Sequence, residues 1–253
     1  MCHEQPLAPI RGGAGLIEER VSYQGDGAEI PAYFVRPEDG DLPGVLIVAD
    51  IWGSKPVWED VGTRLAAEGF AVLVPDLFVR QGPLAERTRE LASERAGKMD
   101  QMSAQNDISA GMTWLREHTG GRPVGIMGIC MGGTLVLVQA SLEPRPDAVV
   151  SFYGFPAGSQ RPRWTLTPIG EVARSDAPIL AIFGEDDAGV GIENVEAYRA
   201  AMEAREADYR DIVYPGVGHA FLTFDPSAPN YQTAQDAWAA TLQFFSERLE
   251  ANG

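Results

Sequence analysis

The sequence predicts an α/β protein with a mostly parallel central sheet, helices on both faces and an antiparallel strand pair at its N-terminal edge. Three observations carry this. The runs "GVLIVADIWG", "FAVLVPDLF" and "PVGIMGIC" are almost continuously apolar, as strands covered on both faces must be. Helical stretches alternate with them, so the strands are joined by crossovers and run parallel. The first tract, "GLIEERVSYQGDGAEIPAYFVRP", differs in texture and reads as two strands joined at the turn signal Gly25-Asp26-Gly27.

Taken in order, "VWEDVGTRLAAEG" reads as a helix stopped at Gly69. Residues 84–118 are helix-rich, with Gly97 as an interruption. After "PVGIMGIC" the stretch "MGGTLVLVQASLE" reads as helix, and "DAVVSFYG" and "PILAIFGED" as strands. Ile192, Val195, Tyr198 and Met202 follow helical spacing. "YRDIVYPGVGH" is a last strand and loop, and Trp238, Leu242, Phe245 and Leu249 stripe a closing helix.

A chain of 253 residues, 45% apolar, can bury a substantial core, and no Pro-rich or Ser/Gly-rich linker divides it. One domain over 1–253 is expected, with 1–14 as a loosely ordered arm. The formal net charge of -16 argues against a nucleic-acid partner. Two cysteines, Cys2 and Cys130, make no disulfide framework, and a reducing cytoplasm is expected. No apolar run reaches membrane-spanning length, and "MCHEQPLAPIRGG" lacks the apolar centre of a secretory signal. Three histidines without clustering leave no zinc motif, so neither metal nor cofactor is expected. The expected partner is a small-molecule substrate, and the expected state is a monomer or dimer.

In sheets of this kind ligands sit beyond the carboxyl ends of the strands. Gly128-Ile129-Cys130-Met131-Gly132 lies at one such end, a G-x-nucleophile-x-G pattern with cysteine where serine is commoner. A sharp strand-to-helix turn crowds its neighbours, which explains the glycines, and the following helix start favours thiolate over thiol. The Met131 N–H is placed to donate to an oxyanion. The bland alternative is a buried cysteine beside glycines that let a helix pack closely. A nucleophile needs a base, and "PGVGHAF" puts His219 in a loop after a strand. His3 is terminal, and His118 sits at a helix end. "ILAIFGEDDAGV" ends another strand with Glu185, Asp186 and Asp187. Cysteine, acid, histidine is the chain order of the α/β-hydrolase triad.

On the stretches "ADIWG", "VPDLFVRQGP", "GICMGG" and "GHAF", the chain resembles the dienelactone hydrolases (carboxymethylenebutenolidases) of the α/β-hydrolase fold, over most of its length. The resemblance implies Cys130 as nucleophile, His219 as base and Asp186 as the acid that orients it, because the family's Gly-x-Asp aligns with Gly184-Glu185-Asp186. Asp187 is the alternative register. It implies an oxyanion hole built from the backbone N–H groups of Ile51 and Met131. Asp50 stands where the family has a glutamate that holds the resting thiol, and is one methylene shorter; its alternative role is a loop or N-cap carboxylate. Arg80 matches one of two arginines that clamp the substrate's carboxylate, the alternative being a rim residue paired with Glu86 or Glu90. The second arginine falls on Thr223.

Among aromatics near strand ends, Trp52, Tyr153 and Phe221 are candidate pocket residues, with core packing as the alternative. The implied activity is hydrolysis of activated esters or lactones through a thioester. A broader aryl esterase or thioesterase, a catalytically weak ligand-binding protein and a redox-sensing thiol are the competing readings.

Overall fold

The apolar runs become strands in the order the sequence dictates. The computed structural model describes residues 15–40, 42–54, 56–159 and 161–250, so the expected arm over 1–14 lies outside the described residues. The strands are β1 (Leu16–Gln24), β2 (Glu29–Pro37), β3 (Gly44–Val48), β4 (Ala71–Pro75), β5 (Val124–Ile129), β6 (Ala148–Phe152), β7 (Ile179–Gly184) and β8 (Tyr209–Tyr214). The helices are α1 (Pro56–Ala67), α2 (Arg89–Gly97), α3 (Gln101–His118), α4 (Met131–Gln139), the single turn α5 (Pro168–Glu171), α6 (Ile192–Ala204) and α7 (Tyr231–Phe245).

All strands belong to one sheet, ordered β1-β2-β4-β3-β5-β6-β7-β8. β1 and β2 pair antiparallel through the predicted Gly25–Gly27 turn, and β2 pairs antiparallel with β4. From β4 to β8 every pairing is parallel. Every residue of β3, β4, β5, β6 and β7 is buried, which is why these segments show no polar alternation. The edge strand β8 is half-buried throughout, apart from exposed Arg210. Among the described residues no helix is long and apolar enough to cross a membrane.

The chain leaves β3 toward one edge of the sheet, through α1 to β4. It leaves β5 toward the other, through α4 to β6. The adjacent ends of β3 and β5, in register at Val48↔Gly128, therefore form the switch point where a crevice opens.

Helix α4 is buried along its whole length and ends at Gln139, short of the expected Glu143. It can lie so deep because glycines, Gly132 and Gly133, occupy its first turn and Gly128 lies opposite. A Cβ on Gly132 would stand 2.0 Å from the Val48 carbonyl oxygen, and one on Gly128 would stand 2.2 Å from the Gly132 carbonyl oxygen. Both obstacles are backbone, which cannot rotate out of the way as a side chain can.

Arg80 departs from both sequence readings. Its guanidinium grips the buried carboxylate of Asp107 on α3, Nη1 to Oδ2 at 2.6 Å and Nη2 to Oδ1 at 3.0 Å, and it also donates to the Asp26 carbonyl. The Asp26 N–H donates to the same carboxylate at 2.8 Å, and the Tyr23 hydroxyl to the Asp107 carbonyl at 3.0 Å. Arg80 thus fastens the β1–β2 hairpin turn and the loop after β4 onto α3. Its carboxylate partner is Asp107 in place of the expected Glu86 or Glu90, because a fully buried carboxylate holds a fork-shaped cation more strongly than a surface glutamate does.

Two outcomes follow. Gly132→Ala should lower unfolding stability by more than about 3 kcal/mol, since backbone must move to admit the methyl group. Arg80→Met should cost about 3–5 kcal/mol by leaving the Asp107 charge buried without its counter-ion. Urea unfolding of each variant measures both.

Candidate active site

The elbow after β5 carries the thiol. Cys130 has φ 56 and ψ -112, a strained conformation for a residue with a side chain, and its N–H donates to the Phe152 carbonyl at 2.9 Å. Helix α4 begins at the next residue. The Met131 N–H belongs to its first turn, which has no carbonyl partners inside the helix, so donors and a positive potential gather beside the sulfur.

The loop after β8 brings His219 across. Its Nε2 lies 3.2 Å from Cys130 Sγ, and its Nδ1 lies 2.6 Å from Oδ2 of Asp187. A carboxylate only accepts, so Nδ1 carries the proton, and Nε2 is left facing sulfur. The ring is wedged against Tyr153, edge-on at 4.9 Å, and Phe155, tilted at 5.7 Å. Tyr153 and Ala220 join Cys130 in having positive φ, at 38° and 61°. Backbone strain is thus gathered around the imidazole and the thiol.

The acid at the histidine is Asp187, and the expected Asp186 is displaced from that position. The backbone explains the shift. The N–H groups of Glu185 and Asp186 still bond to the Tyr214 and Val217 carbonyls, both at 2.9 Å, so strand-like pairing runs past the end of β7. The chain turns only at Asp187, whose N–H returns to the Gly184 carbonyl at 3.3 Å. Asp186 stays exposed. Asp187 is buried, and its Oδ1 accepts the N–H groups of Gly189 at 3.0 Å and Val190 at 3.2 Å. Both carboxylate oxygens are thereby held.

Asp50 is fully buried at the end of β3. Its Oδ1 accepts the Trp52 N–H at 2.9 Å and the Trp58 indole N–H at 3.4 Å, as the loop-carboxylate reading requires. His219 Nε2 is in direct contact with the sulfur.

These groups open onto a cleft of about 400 Å³ walled by Ile51, Cys130, Asp186, Asp187 and His219, together with Arg89, Ser93, Phe155, Arg161, Ala188 and Gly189. Three aromatics expected there line none of it. Trp52 is buried, with the Arg87 guanidinium 5.4 Å from its ring. Tyr153 is buried beneath the imidazole, and Phe221 is buried among Phe152, Tyr153 and Tyr214. Near strand ends the core continues, and large rings fill it. A hollow of about 580 Å³ bordered by Arg80, Lys98 and Arg163 shares no lining residue with this cleft.

Sequence reasoning missed Arg89, Ser93, Phe155 and Arg161. One signal was present. Arg89 occupies the first turn of α2, behind the Thr88 cap, where the helix dipole opposes a cation. A charge standing against its own helix is a reason to look for a use outside it.

The dienelactone hydrolase family model matches residues 30–249. A Yersinia pestis protein named "Putative carboxymethylenebutenolidase" is 30% identical, over 91% of this chain and 87% of its own length. A Rhodococcus opacus carboxymethylenebutenolidase is 26% identical over 98% of both chains. The solved structure of a "Putative Dienelactone Hydrolase" from Klebsiella pneumoniae superposes with a TM-score of 0.85 at 29% identity, covering 91% of this chain and 98% of that one.

The two neighbouring acids should separate cleanly. At pH 7, Asp187→Asn should slow alkylation of Cys130 by iodoacetamide at least about tenfold, because the imidazole loses the partner that fixes its tautomer. Asp186→Asn should leave that rate within about twofold, as an exposed residue off the imidazole should.

Proposed function

Since the chain belongs to the dienelactone hydrolase family and is a hydrolase of esters or lactones, we propose that it works through a Cys130–His219–Asp187 triad and a thioester intermediate. The observation that carries this reading is the unbroken line from Asp187 to His219 at 2.6 Å and from His219 to Cys130 at 3.2 Å, ending on an open cleft.

A substrate carbonyl docks with its oxygen toward the Ile51 and Met131 amides. Nε2 of His219 takes the Cys130 thiol proton, the resulting thiolate forms a bond to the carbonyl carbon, and the carbonyl electron pair moves onto oxygen. The tetrahedral intermediate collapses, the bond to the leaving group breaks, and a thioester remains. The proton held at Nε2 of His219 is available to the leaving group. In the second half His219 takes a proton from water, the resulting hydroxide equivalent attacks the thioester, and the carbon–sulfur bond breaks to release the acid. Asp187 keeps Nδ1 protonated throughout and stabilises the imidazolium.

Sulfur narrows the substrate. A thiolate leaves readily from the tetrahedral intermediate, so it competes with the substrate's own leaving group. Enolates, phenolates and thiolates compete well with it; simple alkoxides and amines do not. Enol lactones, aryl esters and thioesters are therefore favoured over peptides.

Arg80 is bound to Asp107 and the family's second arginine falls on Thr223, so any substrate carboxylate meets different cations here. Arg89 and Arg161 border the cleft and supply them. In a chain of net charge -16, this pair makes a local positive mouth, offset in part by Asp186.

Cys130→Ala should abolish phenolate release from an aryl ester, and full activity in that variant would sink the proposal. Arg89→Ala combined with Arg161→Ala should raise KM about tenfold or more for a carboxylate-bearing aryl ester, and leave its uncharged analogue nearly unaffected. Equal changes for both esters would remove the arginines from substrate recognition.

A further inference from the structure

We propose that Arg95, on α2 and outside the reacting groups, is a positioning residue that fixes the direction of the Ile51 amide and so sets one half of the oxyanion site. The inference rests on the reading of Cys130 as an acyl-transfer nucleophile.

Residues 50–53 form a tight turn at the end of β3, closed by the Gly53 N–H on the Asp50 carbonyl at 3.0 Å. The Asp50 carbonyl and the Ile51 N–H belong to one planar trans peptide and point opposite ways. Holding the oxygen therefore aims the N–H out of the turn. The next peptide is held at both ends. Its N–H, on Trp52, goes to Asp50 Oδ1 at 2.9 Å, and its carbonyl, on Ile51, accepts from Arg95 Nη2 at 3.1 Å. Three of the four polar atoms of these two peptides are thus tied, and the fourth is the Ile51 N–H. Ile51 itself borders the cleft with Cys130.

Arg95 is equipped to hold its end. Its guanidinium lies 3.9 Å from the centre of the Phe78 ring, and Nη1 donates to the Gly82 carbonyl at 3.3 Å. One planar fork therefore joins the turn after β3 to the loop after β4. Burial draws its pKa below the usual arginine value, with Asp76 and Asp50 opposing that fall. The space beside the turn is closed. Gly53 has φ +76, and a Cβ there would stand 3.0 Å from the Phe78 ring and 3.2 Å from Arg95 Nη2. A lysine could reach one carbonyl as a point charge but could not span both while lying flat on the ring.

An oxyanion donor matters only where an oxyanion forms, and this gives the test. Arg95→Gln and Arg95→Lys are compared with wild type in three assays: aryl-ester hydrolysis, inhibition by an aryl trifluoromethyl ketone, and alkylation of Cys130 by iodoacetamide. The ketone takes the thiolate into a tetrahedral adduct bearing an oxyanion. Iodoacetamide alkylates sulfur at a saturated carbon and makes none. The expected result for Arg95→Gln is a fall of about tenfold or more in kcat and in ketone affinity, with alkylation within about twofold of wild type. Arg95→Lys should fall in between, and it decides the matter if Arg95→Gln does not melt cooperatively. Wild-type kcat and ketone affinity in Arg95→Gln would overturn the proposal. So would an alkylation rate that falls in step with turnover, which would mark damage to the thiol or the fold. The two readings fail separately. Ester hydrolysis that survives Cys130→Ala removes the nucleophile assignment, whereas its loss in Cys130→Ala beside an unaffected Arg95→Gln removes only the role of Arg95.

Discussion

Where α4 leaves β5, main chain meets main chain with nothing between. The first turn of the helix rests against the Val48 carbonyl at the end of β3, and no side chain could be inserted there. This contact sets how deep α4 can sit. It brings the end of β3, and therefore the Asp50–Gly53 turn, next to the strained elbow that presents Cys130. It also turns a helix start, with its unpaired amides, toward the same point. If that approach were looser, the thiol, the Ile51 amide and the Met131 amide would separate together. The strain at Cys130, of the order of 1–3 kcal/mol for such a backbone conformation, is sustained by the helix buried behind it.

The rest of the site is assembled from the opposite side of the sheet. β7 and β8 extend past their formal ends as a paired ribbon, and only beyond it do Asp187 and His219 meet. The imidazole is gripped by a carboxylate on one nitrogen and by two aromatic rings on its faces and edge. The first carboxylate is itself saturated by backbone amides of its own loop. Each layer fixes the one before it, and the sulfur receives a ring whose orientation is already decided. Rigid elements carry the groups of the proposed triad, while the cleft's charged rim comes from the start of α2 and from the segment after β6.

The parallel strands were legible because burial on both faces erases alternation, and every residue of β3 through β7 is buried. The meeting of Cys130 and His219 was legible because a strand-to-helix elbow needs small neighbours and because each residue follows a strand at the same end of the sheet. The acid was legible only as a pair of candidates. Asp186 and Asp187 differ by one residue of strand pairing, and that pairing is set by the bond from Asp186 to Val217, a long-range contact that no local pattern records. The aromatics near strand ends misled for a similar reason. A ring at a strand end is apolar whether it faces substrate or core, and here Trp52, Tyr153 and Phe221 are all buried. Arg89 and Arg161 were not legible because they come from helix and irregular chain, to which no strand-end rule points.

Arg80 carries a broader consequence. It stands in a stretch whose letters match a substrate-binding arginine, yet its guanidinium is committed to Asp107 and the hairpin turn. A motif transmits the identity of a side chain but not of the residue opposite it, and the residue opposite chose the task. Within such a family, the surroundings of a cation can change without any change at the position usually compared: a carboxylate on a neighbouring helix is enough to give an arginine another partner. Substrate range is then better compared through the partners of each cation than through the cations themselves.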